Sequence, residues 1–114
     1  MILGEVVEAL ALELRSGHSK METEVRGGYA SDLLSDVIAG AKEGDLWVTL
    51  QLHQNVVAVA FLNNLAGIII SGGREPDLET INKAEEQEVP IMVTPLSTYE
   101  VVGRMYQLGI RKQP

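Results

Sequence analysis

Three consecutive strand-then-helix segments beyond residue 45 constrain this chain more than any other feature. Residues 46–50 read as a strand and 55–65 as a helix, 67–70 as a strand and 77–88 as a helix, 91–94 as a strand and 97–108 as a helix. Strands alternating with helices of this length predict βαβ crossovers, a parallel sheet and right-handed connections. Gly67-Ile68-Ile69-Ile70 is apolar without alternation, as a strand covered on both faces must be. The helix patterns fit the same layout. Val56, Val57, Val59, Ala60, Phe61 and Leu62 make one helix apolar nearly all round, so it is deeply buried or faces a partner. Leu78, Ile81 and Ala84 form a narrow stripe on an otherwise charged helix, which predicts a solvent-side position. Ser97 and Glu100 have capping-box spacing just after Pro95.

The first third of the chain is less regular. Ile2, Leu3, Val6, Val7 and Leu10 recur at helical spacing with glutamates between them, predicting an amphipathic helix over residues 2–12. Residues 12–15 and 23–25 read as short extended segments around a polar loop at 16–20. Gly27-Gly28-Tyr29 reads as a loop feeding a helix whose apolar face is Leu33, Leu34, Val37, Ile38 and Ala41, with Gly44 as its stop. Ser31 or Asp32 would cap that helix. The expected fold is therefore one α/β domain spanning 1–114. It has three layers, a mostly parallel sheet of consecutive βα units, an N-terminal helix and short extended segments. Trp47 and Phe61 are expected in the core, with Tyr29 joining them if its loop folds inward.

Charge and composition narrow the function classes. A net charge of -7 repels phosphate backbones, and the only adjacent cations, Arg111 and Lys112, end the chain, so nucleic acid is not an expected partner. No apolar run approaches the ~20 residues of a membrane helix. Glu5, Glu8 and Glu13 leave the N-terminus unlike a signal peptide. The absence of cysteine removes disulfides and thiolate metal sites, which suits the cytoplasm. His18 and His53 stand apart from each other, so no metal cluster is expected.

In an open parallel sheet, ligands sit beyond the carboxyl ends of the strands. Here those ends carry Gln51, His53, Gln54 and Asn55, then Ser71, Gly72 and Gly73, then Thr94. With Gly27, Gly28, Tyr29, Ser31 and Asp32 nearby, they would form a polar pocket suited to a nucleotide or phosphorylated metabolite. Each residue also has a plainer role. Gly72-Gly73 is a simple turn or a phosphate nest, Asp32 a helix cap before it is a catalytic acid, and His53 a hydrogen-bonding loop residue or a proton shuttle. Ser35 and Ser71 lack a base at recognisable spacing, so no catalytic residue is assigned.

Residues 25–37, with the strands at 46–50 and 67–70, resemble the DRTGG domain family. The signature corresponds to Glu24-Val25-Arg26-Gly27-Gly28 followed by Ala30-Ser31-Asp32-Leu33-Leu34-Ser35, with Val25-Arg26 where the family has Arg-Thr. The likeness covers roughly Ile2 to Ile110 and implies a stand-alone copy of the domain. Domains of this kind are attached to larger proteins, including CBS-containing pyrophosphatases and some phosphotransacetylases, and a related fold precedes the catalytic domain of HPr kinase/phosphorylase. No Gly-x-x-x-x-Gly-Lys-Ser/Thr segment accompanies the resemblance here. It implies a small regulatory or interaction module, a homodimer that binds a nucleotide-like ligand at the strand ends and acts on a larger enzyme in trans, with no cofactor. Two alternatives stay open: a small phosphoryl- or acyl-transfer enzyme using His53, and a purely structural dimerisation domain.

Overall fold

The computed structural model describes all residues, 1–114. Five strands form one sheet: β1 (Glu13–Ser16), β2 (Gly27–Ala30), β3 (Asp45–Thr49), β4 (Gly67–Ile70) and β5 (Ile91–Val93). Their spatial order is β1-β5-β4-β3-β2. Strands β2 to β5 run parallel, whereas β1 joins β5 antiparallel. The helices are α1 (Leu3–Ala9), α2 (Leu34–Gly40), α3 (Asn55–Leu62), α4 (Leu78–Gln87) and α5 (Thr98–Gln107), with a short 3-10 turn at His18–Lys20. Because β2 to β5 are laid down in order across the sheet, their right-handed crossovers put α2, α3 and α4 on one face. The other face is left to α1 and α5.

Alternation along each strand divides the core into two halves. Leu46, Val48, Ile69 and Met92 point toward α1 and α5, where they meet Leu3, Val6, Val101 and Met105. Trp47, Ile68, Ile70, Ile91 and Val93 point the other way, onto Val37, Val56, Val57, Ala60 and Ala84. All five residues of β3 and all four of β4 are buried. The α/β class, the parallel order and the three βα units match the sequence reading, and each boundary moves by at most a few residues. Ser97 caps α5 as its spacing predicts, accepting the Glu100 N–H at 3.2 Å.

Four local expectations are corrected. Gly27-Gly28-Tyr29 is not a loop but the body of edge strand β2, paired along β3 from Gly27 opposite Asp45 to Ala30 opposite Val48. The segment at 23–25 is not a strand and makes only one bridge, Glu24 to Ile2. Helix α2 ends at Gly40 rather than at Gly44, because the Asn63 side-chain amide takes its last carbonyls: Val37 at 3.3 Å, Ile38 at 3.0 Å and Ala41 at 3.1 Å. Phe61 is no core residue, since it stands 55% exposed beside Leu62 at 73%. Trp47 is fully buried, as expected.

Gly27 explains why glycine was conspicuous without marking a turn. The C-terminal segment crosses the β2 edge, with Gly28 N donating to the Arg111 carbonyl at 3.3 Å and Gln113 Nε2 donating to buried Asp45 at 2.8 Å. A Cβ on Gly27 would lie 2.6 Å from Gln113 Cγ, 2.7 Å from Asp45 Oδ1 and 2.8 Å from the Arg111 carbonyl. Glycine is required there for close approach. Gly27→Ala should therefore destabilise the domain by about 1–3 kcal/mol, the usual range for overpacking. Urea unfolding would show this as a lower midpoint with an unchanged slope, and an unaltered midpoint would contradict the close packing of the tail.

Candidate ligand site at the strand ends

The carboxyl ends of β2, β3, β4 and β5 open along one edge of the sheet, because all four run parallel. The expected site residues lie along this edge in separate groups. At the β2–β3 end Asp32 is the hub. Its Oδ1 accepts from Thr49 Oγ1 at 2.8 Å and from Leu50 N at 2.7 Å, and its carbonyl accepts from Gln51 Nε2 at 2.9 Å. Trp47 Nε1 donates to the neighbouring Ser31 carbonyl at 2.8 Å. Asp32 is therefore not the helix cap that its position suggested. Leu33 occupies the cap position of α2, and Ser31 Oγ accepts the Leu33 N–H at 3.2 Å.

Next along the edge, the loop at 50–55 rises from β3 into α3. Its Leu52 carbonyl is held by Thr80 Oγ1 at 2.7 Å and by Asp77 N at 3.3 Å, fixing it to the start of α4. His53 Nδ1 is hydrogen-bonded to Asn55 Oδ1, and both residues are exposed. His53 and Gln54 face Asp77, Glu79 and Thr80 across a cleft of about 360 Å³. Sequence reasoning missed the α4 side of this cleft. The signal was available, since Asp77 opens the helix that follows the next strand end.

The third group belongs to β4 and β5. Ser71 is fully buried and its Oγ shares a hydrogen bond of 2.6 Å with Thr98 Oγ1. Gly72 N donates to the Leu96 carbonyl at 2.7 Å and Gly73 N to the Thr94 carbonyl at 2.9 Å. Both glycines have positive φ, 78° and 73°, so they form a tight turn whose amides are taken up by the protein itself. Thr94 Oγ1 accepts the Leu96 N–H at 3.2 Å. Gly73, Thr94 and Pro95 border a second cleft, about 220 Å³, together with Glu13, Arg74 and Glu75. Gly28 and Tyr29 lie apart from all of this, in the body of β2. The Tyr29 hydroxyl donates to Asp36 Oδ2 at 2.9 Å, and that hydrogen bond raises its pKa.

The two carboxylates of the second cleft, Glu13 and Glu75, are both held by Arg15. Its Nε and Nη2 donate to the two Glu75 oxygens at 2.8 Å each, and Nη2 donates to Glu13 at 3.0 Å. The bidentate hydrogen bond holds the Glu75 carboxyl below its ordinary pKa and raises that of Arg15. Arg74 beside it has no carboxylate partner, since the ion pairs of the chain use Arg15, Lys20, Arg26, Lys83 and Arg104. One free guanidinium therefore borders the cleft.

Two measurements follow from this geometry. Asp32→Ala removes a charge-assisted acceptor from Thr49 and Leu50 and should cost about 1.5–3 kcal/mol, with faster amide exchange at Leu50 and Gln51. Exchange at those amides equal to wild type would remove Asp32 as the hub. Because the folded-state pKa of Glu75 is lowered, its stabilising contribution is present above its ordinary value near 4.3 and is lost as pH falls through the folded value. The pair is surface-exposed, so the loss should be under ~1 kcal/mol, read as a larger fall in urea midpoint on acidification in wild type than in Glu75→Gln.

Comparison with known proteins places the fold. A solved structure of the CBS and DRTGG domains of the regulatory region of Clostridium perfringens pyrophosphatase, complexed with the activator diadenosine tetraphosphate, is similar with a TM-score of 0.74 at 16% identity. The likeness covers 93% of this chain and 46% of that one, so this chain spans less than half of the neighbour's length. No curated protein matches. The family model for the DRTGG domain matches residues 5–108, nearly the whole chain, and the protein belongs to the DRTGG domain family.

Proposed function

We propose that this protein is a cytoplasmic regulatory module, a homodimer that binds a nucleotide-like ligand at the carboxyl ends of its parallel strands and acts on a larger enzyme in trans. The observation that carries the reading is the convergence of four strand ends on one edge, with two clefts, exposed amides of Gln54 and Asn55, an exposed imidazole and the free Arg74. The neighbour that belongs to a regulatory region bound to a dinucleotide activator supports the ligand class. His53, Gln54 and Asn55 would contact the ligand, with Arg74 and Gly73 at the neighbouring cleft. Ser31, Asp32, Gln51, Ser71, Gly72 and Thr94 hold this edge through their own hydrogen bonds. The enzymatic alternative finds less support, because Ser71 is buried against Thr98 and neither Ser71 nor Thr94 is hydrogen-bonded to His53.

Self-association has its own support. Helix α3 carries no charged residue and exposes Phe61 and Leu62, and Ile38 of α2 is 50% exposed. On a chain of net charge -7, a helix without charge is where a second copy can approach with least repulsion.

A thermal-shift series with diadenosine tetraphosphate and adenine and guanine nucleotides tests the ligand. Saturation at 100 times the dissociation constant stabilises by about 2.7 kcal/mol, so the midpoint should rise by several degrees and the rise should vanish in a His53→Ala, Gln54→Ala double variant. No rise with any nucleotide removes the ligand part of the proposal. For self-association, light scattering should give a dimer for wild type and a monomer for Phe61→Glu; a wild-type monomer at micromolar concentration rejects the homodimer.

A further inference from the structure

On the opposite side of the sheet from Phe61, α5 lies across β2 and β3 and leaves a trough. The cause is in the sequence of β2. Its residues on this face are Gly28, over which Met105 and Ile110 close so tightly that a Cβ there would lie 3.1 Å from Met105 Cε, and exposed Ala30, too short to fill the space beside them above buried Val48 of β3. Val102, Met105 and Tyr106 of α5 form the wall, and the chain turns back after Ile110 so that Arg111 and Lys112 stand at the rim. The trough encloses about 200 Å³ and is mainly apolar. That is below the usual range for drug-sized ligands, about 300–1,000 Å³, and suits one small ring system.

The rim is where charge sets this trough apart. Of nine Lys and Arg residues, five are in ion pairs and Lys42 reaches the Pro114 carbonyl. Arg74, Arg111 and Lys112 remain without an acidic partner, and two of these three stand at this one opening. Arg111 is also held in place: its guanidinium carbon lies 3.8 Å from the centre of the Tyr106 ring, and its Nε donates to the Tyr106 carbonyl at 3.4 Å. Stacking on an aromatic face fixes the cation without neutralising it. An apolar trough beneath two uncompensated cations, in a chain that is otherwise strongly acidic, complements a ligand with an apolar ring and an anionic group.

We propose that the trough between β2 and α5 is a second binding site, for a small ligand carrying one flat apolar ring and one anionic group. The ring lies on Ala30 beside Val102 and Tyr106, and the anion is held by Arg111 and Lys112. This site is distinct from the clefts at the strand ends and stands whether or not those bind a nucleotide.

Phenyl phosphate is the simplest probe, with inorganic phosphate and phenol as its two halves. Titrated into the protein and followed by amide and methyl NMR, phenyl phosphate should shift Ala30, Val102 and Tyr106, and it should bind at least about tenfold more tightly than either half. Ala30→Leu fills the trough from an exposed position and should abolish those shifts. The Arg111→Gln, Lys112→Gln double variant should keep the fold and weaken binding about tenfold or more. Equal affinity for phenyl phosphate and either half overturns the proposal, as does unchanged binding in the double variant. Shifts confined to residues 50–55 or 71–75 would also overturn it, by moving the ligand to the strand ends.

Discussion

Burial of β3, β4 and β5 on both faces is the constraint from which the rest of the architecture follows. Ile68, Ile69 and Ile70 are all fully buried, so neither face of β4 can be left to solvent and two helical layers are obligatory. Right-handed crossovers fill one layer with α2, α3 and α4, and only chain lying before β2 or after β5 can fill the other. That is the role of α1 and α5. A chain with a net charge of -7 can hold such a core because nearly all of its charge stays at the surface; the one buried carboxylate, Asp45, is bonded by Lys42 N at 2.8 Å and by Gln113. No buried side-chain polar atom lacks a hydrogen-bond partner.

The same constraint decides where polar chemistry can gather. Inside the sheet there is no room for it, so hydroxyls, amides and the imidazole collect where the strands stop. Several of these groups are occupied in building the edge. Asp32, Thr49 and Gln51 join β2 to β3, while Ser71 and Thr98 join β4 to α5. The side chains left facing solvent, His53, Gln54, Asn55 and Arg74, are those with least structural work. A polar residue at a strand end is thus either a brace or a contact for a ligand, and hydrogen bonds distinguish the two where position in the sequence does not.

The regular part of the chain was legible because its periodicity and burial agree. Unbroken apolar runs for covered strands and punctuation by Gly67 and Pro95 located the three βα units to within a few residues. The N-terminal third was harder to read for physical reasons. A strand made of Gly27-Gly28-Tyr29-Ala30 has low intrinsic β propensity and exists because β3 and the C-terminal segment flank it. Its glycines suggested flexibility, whereas one accommodates the tail and the other lets Met105 and Ile110 pack close against β2. Asp32 had the composition of a cap but is engaged across the sheet, a contact that no local spacing reveals. Phe61 shows the reverse problem, since an apolar pattern tells how much surface avoids water but not whether this chain or another one covers it.

The antiparallel pairing of β1 with β5 joins residues Glu13 and Val93, which lie at nearly opposite ends of the chain. Contacts of such separation close a long loop, so they are among the slower ones to form. During synthesis α1 and β1 emerge first yet have no sheet to join until β5 has left the ribosome. Strands β2 to β5, each adjacent to its successor, can assemble in the meantime as a nucleus. The first strand made is then the last one docked, and it seals the edge of β5 that the nucleus leaves open.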